Sequence, residues 1–324
     1  MAKSRITIIG LGLTGASIGA ALQREPLGFE IVGHDREPEL AAAAKKMGAV
    51  QRTEWNLHNA CNQASLVIAT VPLDEMPELI EQIHEDLSEG AVIFCISDVM
   101  QPMLDFAQRA LPAHIHFIVG HPIYTGMGTL LDPRADLFEG IQFCVGADVE
   151  TEPGALELVN NLISRIGATP LYVDVAEHDG IIALVDHLPR LIGAALMYAS
   201  SATPSWRDSK KLAGRQFAQS TDIGPNGKEL ARTLFSNREN ILRSLGQLED
   251  LLKSWQQILA NEDEESLRTL LTTAAEERVR WERQAQLKDW NRVVEFEKED
   301  QPGMLRQMFF GGLMGNRNQK RTDK

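Results

Sequence analysis

The apolar run Ile6-Thr7-Ile8-Ile9 leads directly into Gly10-Leu11-Gly12-Leu13-Thr14-Gly15, and a helical pattern (Ser17, Ile18, Ala20, Ala21, Leu22) follows at once. A strand that turns into a helix through three spaced glycines leaves few folds open. Gly10 permits the tight turn, Gly12 lets the backbone approach a pyrophosphate, and Gly15 lets the helix lie close on the strand. Unpaired N–H groups and the helix dipole at that terminus favour anionic phosphate. A second apolar strand, Phe29-Glu30-Ile31-Val32-Gly33, ends at His34-Asp35, which puts Asp35 20 residues after Gly15. A carboxylate there accepts hydrogen bonds from an adenosine ribose. The chain thus opens on a dinucleotide-binding unit, with Gly10, Leu11, Gly12, Leu13, Gly15 and Asp35 as candidate cofactor residues. Asp35 points to NAD, because a carboxylate repels the 2′-phosphate of NADP. The adjacent Arg36 offsets that preference and keeps NADP as the alternative.

Further apolar runs follow at Leu66–Ala69, Ala91–Cys95, Ile115–Val119, Ile141–Val145 and Pro170–Val173, with helical segments between them. This alternation predicts an α/β, Rossmann-type parallel sheet covered on both faces, spanning residues 1–173. Thr70-Val71-Pro72 closes one strand at the carboxyl edge, where such sheets bind ligands, and joins the candidate cofactor residues. From Val175 the strand pattern stops. Helical stretches at His178–Ser201, Gly227–Leu245, Gln247–Ala260 and Glu264–Lys288 predict an all-helical substrate and dimerisation domain over 174–290. The stripe of Leu248, Leu251, Leu252, Trp255, Ile258 and Leu259 is read as helix-packing surface, and a homodimer is expected by analogy with two-domain enzymes. Residues 291–324 are read as a short helix and a disordered basic tail.

The 324 residues carry a net charge of −13, which argues against nucleic acid and anionic membranes as partners. No apolar run is expected to reach the about 20 residues of a membrane span. Lys3 and Arg5 stand before an apolar stretch as in a signal peptide, but the glycine loop interrupts it. Three widely spaced cysteines support neither a disulfide framework nor a zinc knot. A cytoplasmic protein is expected.

Two segments carry candidate chemistry. Gly120-His121-Pro122 follows a strand and reads as an irregular loop over the carboxyl edge, where a histidine is placed for proton transfer near neutral pH. Farther on, Glu177-His178-Asp179 and Asp186-His187-Leu188-Pro189-Arg190 share roughly one side of the first long helix. Arg190 suits a substrate bearing carboxylates, which a guanidinium binds bidentately. His114 and His116 with His121 lack nearby carboxylates, so no metal site is expected.

Taken together these residues resemble the prephenate/arogenate dehydrogenase family of tyrosine biosynthesis, over about residues 5–245. The resemblance rests on IIGLGLTGASIG, VIATVP, the GHP segment at 121, LDPRADLFEG at 131–140, HDGIIALVDHLP at 178–189 and NRENILRSL at 237–245. It implies NAD-dependent oxidative decarboxylation of a small cyclohexadienyl dicarboxylate, with His121 accepting the hydroxyl proton. The sequence departs from the family pattern at three points. Asp98-Val99-Met100-Gln101-Pro102-Met103 lacks the usual serine and lysine, Arg190 replaces a second histidine, and ungapped spacing puts Thr221 where the family has a substrate arginine. His187, Arg190 and Arg215 are then the candidate substrate residues. Two other readings stay open. One is a different Rossmann-type dehydrogenase or reductase, which would use a lysine that the stretch 178–203 lacks; the other is a non-catalytic nucleotide-binding homologue.

Overall fold

The computed structural model describes residues 5–24, 28–124, 132–224, 226–287 and 290. The loop glycines Gly126 and Gly128 and the 291–324 tail lie outside the described residues. Eight strands form one sheet in the order β3-β2-β1-β4-β5-β6-β7-β8. They are β1 (Arg5–Ile9), β2 (Glu30–His34), β3 (Arg52–Thr53), β4 (Ala64–Ala69), β5 (Val92–Ile96), β6 (His116–Ile123), β7 (Gln142–Ala147) and β8 (Thr169–Tyr172). The chain runs outward to β2 and β3 from one side of β1 and returns to β4 on the other. That reversal opens a crevice at the carboxyl ends of β1 and β4, the place where open α/β sheets bind ligands.

Strand residues alternate between two cores, so both faces are buried and the strands read as continuous apolar runs. Ile8, Ile31, Phe94 and Phe143 pack on one face with α1 (Leu13–Leu22). Ile9, Val67, Ile93 and Val119 pack on the other. The short helices α2 (Pro38–Lys46) and α3 (Leu57–Cys61) follow β2 and β3. On the second face lie α4 (Met76–Ile83) and α5 (Gln101–Ala110), while α6 (Pro153–Arg165) joins α1 on the first. Each fully buried large side chain contributes about 1.5–3 kcal/mol.

Two features depart from the expected parallel sheet. The short β3 carries no apolar run that would mark it. β7 runs antiparallel to β6, pairing His121 with Cys144 and Ile123 with Gln142. Antiparallel neighbours need no helical crossover. This pairing extends β6 to Ile123, so His121 stands on a strand, where the sequence reads as a loop. Gly120 makes the extension possible, because a Cβ there would lie 2.5 Å from the Phe94 ring and 2.7 Å from Phe143.

The helical part begins with α7 (Val175–Ile182), capped by the Asp174 carboxylate on the Glu177 N–H, and α8 (Leu188–Ser201). Ala183–His187 between them forms a π turn, where one continuous α-helix was expected. By length and composition Val175–Ser201 is apolar enough to cross a bilayer, contrary to the sequence expectation, although it buries His178, Asp179 and His187. After α9 (Trp206–Ser209) and α10 (Arg215–Ser220) comes α11 (Gly227–Ser236), which ends at Asn237. The helix expected over 227–245 is therefore broken, and α12 (Arg238–Ala260) runs on through the gap expected at 246. Two compact units result, Met1–Leu251 and Leu252 onward, the second containing α13 (Glu264–Leu287).

The glycine loop gives a direct test of this packing. A Cβ on Gly15 would lie 2.6 Å from Thr70 Oγ1 and closer still to the Gly10 carbonyl oxygen. Neither neighbour is the free end of a long side chain, so α1 would have to lift from β1. Gly15→Ala is expected to cost about 1–3 kcal/mol in urea unfolding, whereas Gly12→Ala, with nothing within 4 Å, is expected to leave stability nearly unchanged.

Candidate active site

A cavity of about 890 Å³ occupies the crevice at the carboxyl ends of the strands. Gly10, Gly12, Leu13, Asp35, Thr70, Val71 and Pro72 line it from the nucleotide-binding side. Gly10 adopts φ 86°, a conformation that favours glycine, and the Thr70 hydroxyl donates to its carbonyl at 2.7 Å. Gly12 faces open space and is the position where a ligand phosphate can meet bare backbone. Asp35 Oδ2 accepts the Leu11 N–H at 2.6 Å, and Oδ1 accepts the Glu37 N–H at 2.8 Å. The Leu11 amide is thus held by Asp35 and its side chain is buried, so Leu11 shapes the loop instead of facing the cavity. Gly15 likewise lies beneath the loop. Arg36 is exposed and paired with Glu75 at 2.8 Å, and both line the cavity beside Asp35.

Across the same cavity stands His121. Its Nδ1 lies 3.1 Å from His178 Nε2, and His178 Nδ1 lies 3.0 Å from Asp179 Oδ1. Asp179 Oδ1 also accepts the Met100 N–H at 2.8 Å, and Oδ2 accepts the Gln101 N–H at 2.9 Å. A carboxylate fixed by two backbone donors can only accept from His178, so the His178 proton belongs on Nδ1. His178 Nε2 is then the acceptor for His121 Nδ1–H. What remains on His121 is a bare Nε2, the atom a general base requires. Burial pushes the His121 ring down to about 4, opposed by Asp98 and Asp186 and reinforced by His178 and His187.

His187 is fully buried at the π turn and does not line the cavity. A π turn adds a residue to the helical circuit and recurs at functional sites. Its Nε2 lies 3.6 Å from Asp98 Oδ2, and Asp98 itself faces the cavity. Burial raises the Asp98 carboxyl, but the neighbouring His187 and His121 outweigh it and hold the group below its ordinary value. Arg190 lines the cavity and reaches Asp186 Oδ2 at 3.3 Å and the Ile223 carbonyl at 3.5 Å. Arg215 is exposed at the start of α10 and does not line the cavity. Thr221 spends its hydroxyl on the Phe217 carbonyl. The sequence reading missed Asp98 and Asn237 and did not see His178 and Asp179 as partners of His121. The usable signal was Asp98 at a strand end on the same sheet edge as His121.

A glycine-loop sheet that shares one cavity with a histidine presenting a bare nitrogen is the architecture of a dinucleotide-dependent dehydrogenase. Residues 18–172 match the nucleotide-binding domain of prephenate dehydrogenase, and residues 174–273 match its dimerization domain. The chain belongs to the prephenate dehydrogenase family. It is 25% identical over 280 residues to prephenate dehydrogenase of Bacillus subtilis (strain 168), covering 85% of this chain and 76% of that one. Among solved structures it resembles A. aeolicus prephenate dehydrogenase in complex with hydroxyphenyl propionate and NAD+, with a TM-score of 0.79 and 22% identity. That alignment covers 86% of this chain and 99% of the other. It also resembles Synechocystis arogenate dehydrogenase, with a TM-score of 0.71, 21% identity and coverage of 86% and 99%.

The depressed His121 pKa fixes a sign for stability. An unfolded histidine titrates near its ordinary 6.5, whereas the folded ring does so at about 4. Between those values the unfolded chain binds more protons, so His121 weakens the fold as pH falls from about 6.5 toward 4. In urea unfolding the loss of stability between neutral pH and pH 4.5 should be smaller in His121→Gln than in wild type.

Proposed function

We propose that this chain catalyses NAD-dependent oxidative decarboxylation of prephenate or arogenate, with His121 as the general base. The observation that carries the reading is the 3.1 Å contact from His121 Nδ1 to His178 Nε2, which leaves Nε2 as the basic atom on the cavity wall. The glycine loop fits the cofactor: Gly12 leaves room for a phosphate, and Asp35 stands where a ribose hydroxyl would donate. NAD+ held at this loop would supply the acceptor for the hydride of the ring carbinol carbon. The protein's residues do the rest. His121 Nε2 takes the hydroxyl proton, while His178 and Asp179 hold the ring in register and support the charge that develops. Arg190 anchors a substrate carboxylate. Its guanidinium reaches the Ile223 carbonyl, two residues beyond Thr221, so it occupies the neighbourhood of the family arginine from a different helix. Loss of carbon dioxide aromatises the ring, which supplies much of the driving force and leaves the site chiefly an orienting task. Among the described residues no lysine lines the cavity, which disfavours a lysine-dependent reductase.

A cytoplasmic homodimer completes this reading. The matched dimerization domain supports it, as do Ile181, Leu184 and Val185, which are apolar and more than half exposed on a single chain.

Turnover is followed at the NADH absorbance with prephenate and with arogenate. His121→Ala is expected to lower kcat by about 10²–10⁴-fold with little change in NAD+ affinity. Unchanged turnover in a folded variant would remove the base assignment. Arg190→Ala is expected to raise KM by the equivalent of about 2–5 kcal/mol, with Arg190→Lys recovering only part and Arg215→Ala much milder. A saturation defect in Arg215→Ala alone would move the anchor to α10.

Cofactor choice gives a separate check. NAD+ should bind more tightly than NADP+, and Asp35→Ala should narrow the gap. Tighter NADP+ binding by the wild type would show that Arg36 overrides Asp35.

A further inference from the structure

The NRENILRSL segment holds a run of side-chain amides that the proposed chemistry leaves unused. Arg243 Nη1 donates to Asn240 Oδ1 at 2.9 Å, and Asn240 Nδ2 donates to Asn237 Oδ1 at 2.8 Å. A guanidinium only donates, so it fixes the Asn240 oxygen toward itself and the Asn240 nitrogen toward Asn237. A second, independent restraint acts on Asn237. Its Nδ2 donates to the Asp179 carbonyl at 2.8 Å, an acceptor that admits no other assignment. The same Nδ2 lies 3.3 Å from His187 Nδ1. An amide nitrogen cannot accept, so His187 Nδ1 is the bare ring nitrogen and the proton of the neutral ring sits on Nε2. That Nε2 is buried without a hydrogen-bond partner. Two carboxylate oxygens flank it, Asp98 Oδ2 at 3.6 Å and Asp186 Oδ2 at 4.0 Å.

We propose that Arg243, Asn240 and Asn237 form an orienting relay that locks His187 as the Nε2–H tautomer, directing its proton at Asp98 and holding the Asp98 carboxylate beside His121. Asp98 then serves as a positioning residue with an electrostatic task. When His121 takes a proton, positive charge appears on a ring whose burial disfavours it, and Asp98 is the fixed negative charge next to it. Asp186 faces the same space but is paired with Arg190 at 3.3 Å, so Asp98 carries the larger share. The tautomer also decides the fate of a cluster that otherwise suits a divalent cation. Ligand atoms of Asp98, Asp186 and His187 all lie within 4.8 Å of one another, yet a metal needs a bare nitrogen and the relay puts a proton there. The cluster is closed to such an ion.

The relay is read directly by long-range 15N–1H correlation on the full-length protein labelled at histidine nitrogen, with His187→Gln identifying the signal. The expected pattern is a proton on Nε2 and none on Nδ1 at neutral pH, unchanged when Zn²⁺ alone is added. A proton on Nδ1, or loss of the Nε2 proton to Zn²⁺, would overturn the proposal. Only the kinetic arm rests on the proposed function. Asn237→Asp offers His187 Nδ1 an acceptor and should move the proton, lowering kcat by about 10–100-fold while NAD+ affinity holds. His187→Gln, whose amide N–H reaches the Nε2 position, should retain more turnover than His187→Leu. If the proton moves and kcat does not, the electrostatic role of Asp98 is wrong. If neither prephenate nor arogenate turns over but the Nε2 proton is present, the relay stands and the substrate assignment fails.

Discussion

One buried carboxylate, within the unit Met1–Leu251, ties the sheet to the helices that follow it. Asp179, 2% exposed, receives the backbone N–H groups of Met100 and Gln101 from the loop after β5 and the ring N–H of His178 from its own helix. Its backbone carbonyl receives Asn237 from the junction of α11 and α12. Three chain segments therefore converge on a single residue. An unpaired carboxylate at this depth would be prohibitively costly, and the two backbone N–H groups and the His178 ring satisfy it. The orientation of His121 is a consequence. Two backbone donors make Asp179 an acceptor, His178 a relay, and His121 Nε2 the nitrogen left for chemistry.

Two irregularities of the backbone lie around this residue. His187 is buried at the π turn Ala183–His187, and Asn237, between α11 and α12, donates to the Asp179 carbonyl and lies 3.3 Å from His187 Nδ1. Breaks of this kind cost backbone hydrogen bonding and persist where something is gained by placement. Here the gain is a polar network satisfied at nearly every atom, with the His187 Nε2 proton left facing Asp98. The cofactor side is simpler. Gly10, Gly12 and Gly15 act by having no side chain, and Asp35 is already preorganised by two backbone N–H groups.

The nucleotide-binding half is legible in the sequence because its signals are local. Three glycines, a strand before them and an acid after the next strand all lie within 31 positions of one another, Arg5 to Asp35. The strand runs are apolar because both faces are buried, so they stand out. The site across the cavity is not local. His121 and His178 are 57 residues apart, and Met100 and Asp179 are 79 apart, so no spacing rule joins them. His178-Asp179 reads as a polar helix face, while the fold buries both. Arg190 stands out in the sequence through its motif, with Arg215 as a second candidate, and packing places Arg190 on the cavity wall and Arg215 in solvent. His121 reads as a loop residue because Gly and Pro flank it, and the antiparallel pairing with β7 overrides that local preference.

The proposed catalysis requires Asp179 to act through His178. A double-mutant cycle on kcat, with Asp179→Asn, His178→Ala and the pair combined, tests it directly. Each single change is expected to lower kcat substantially and the double variant to be little worse than either, because both break one chain of hydrogen bonds. Fully additive losses would contradict it, as would a folded Asp179→Asn enzyme with wild-type turnover.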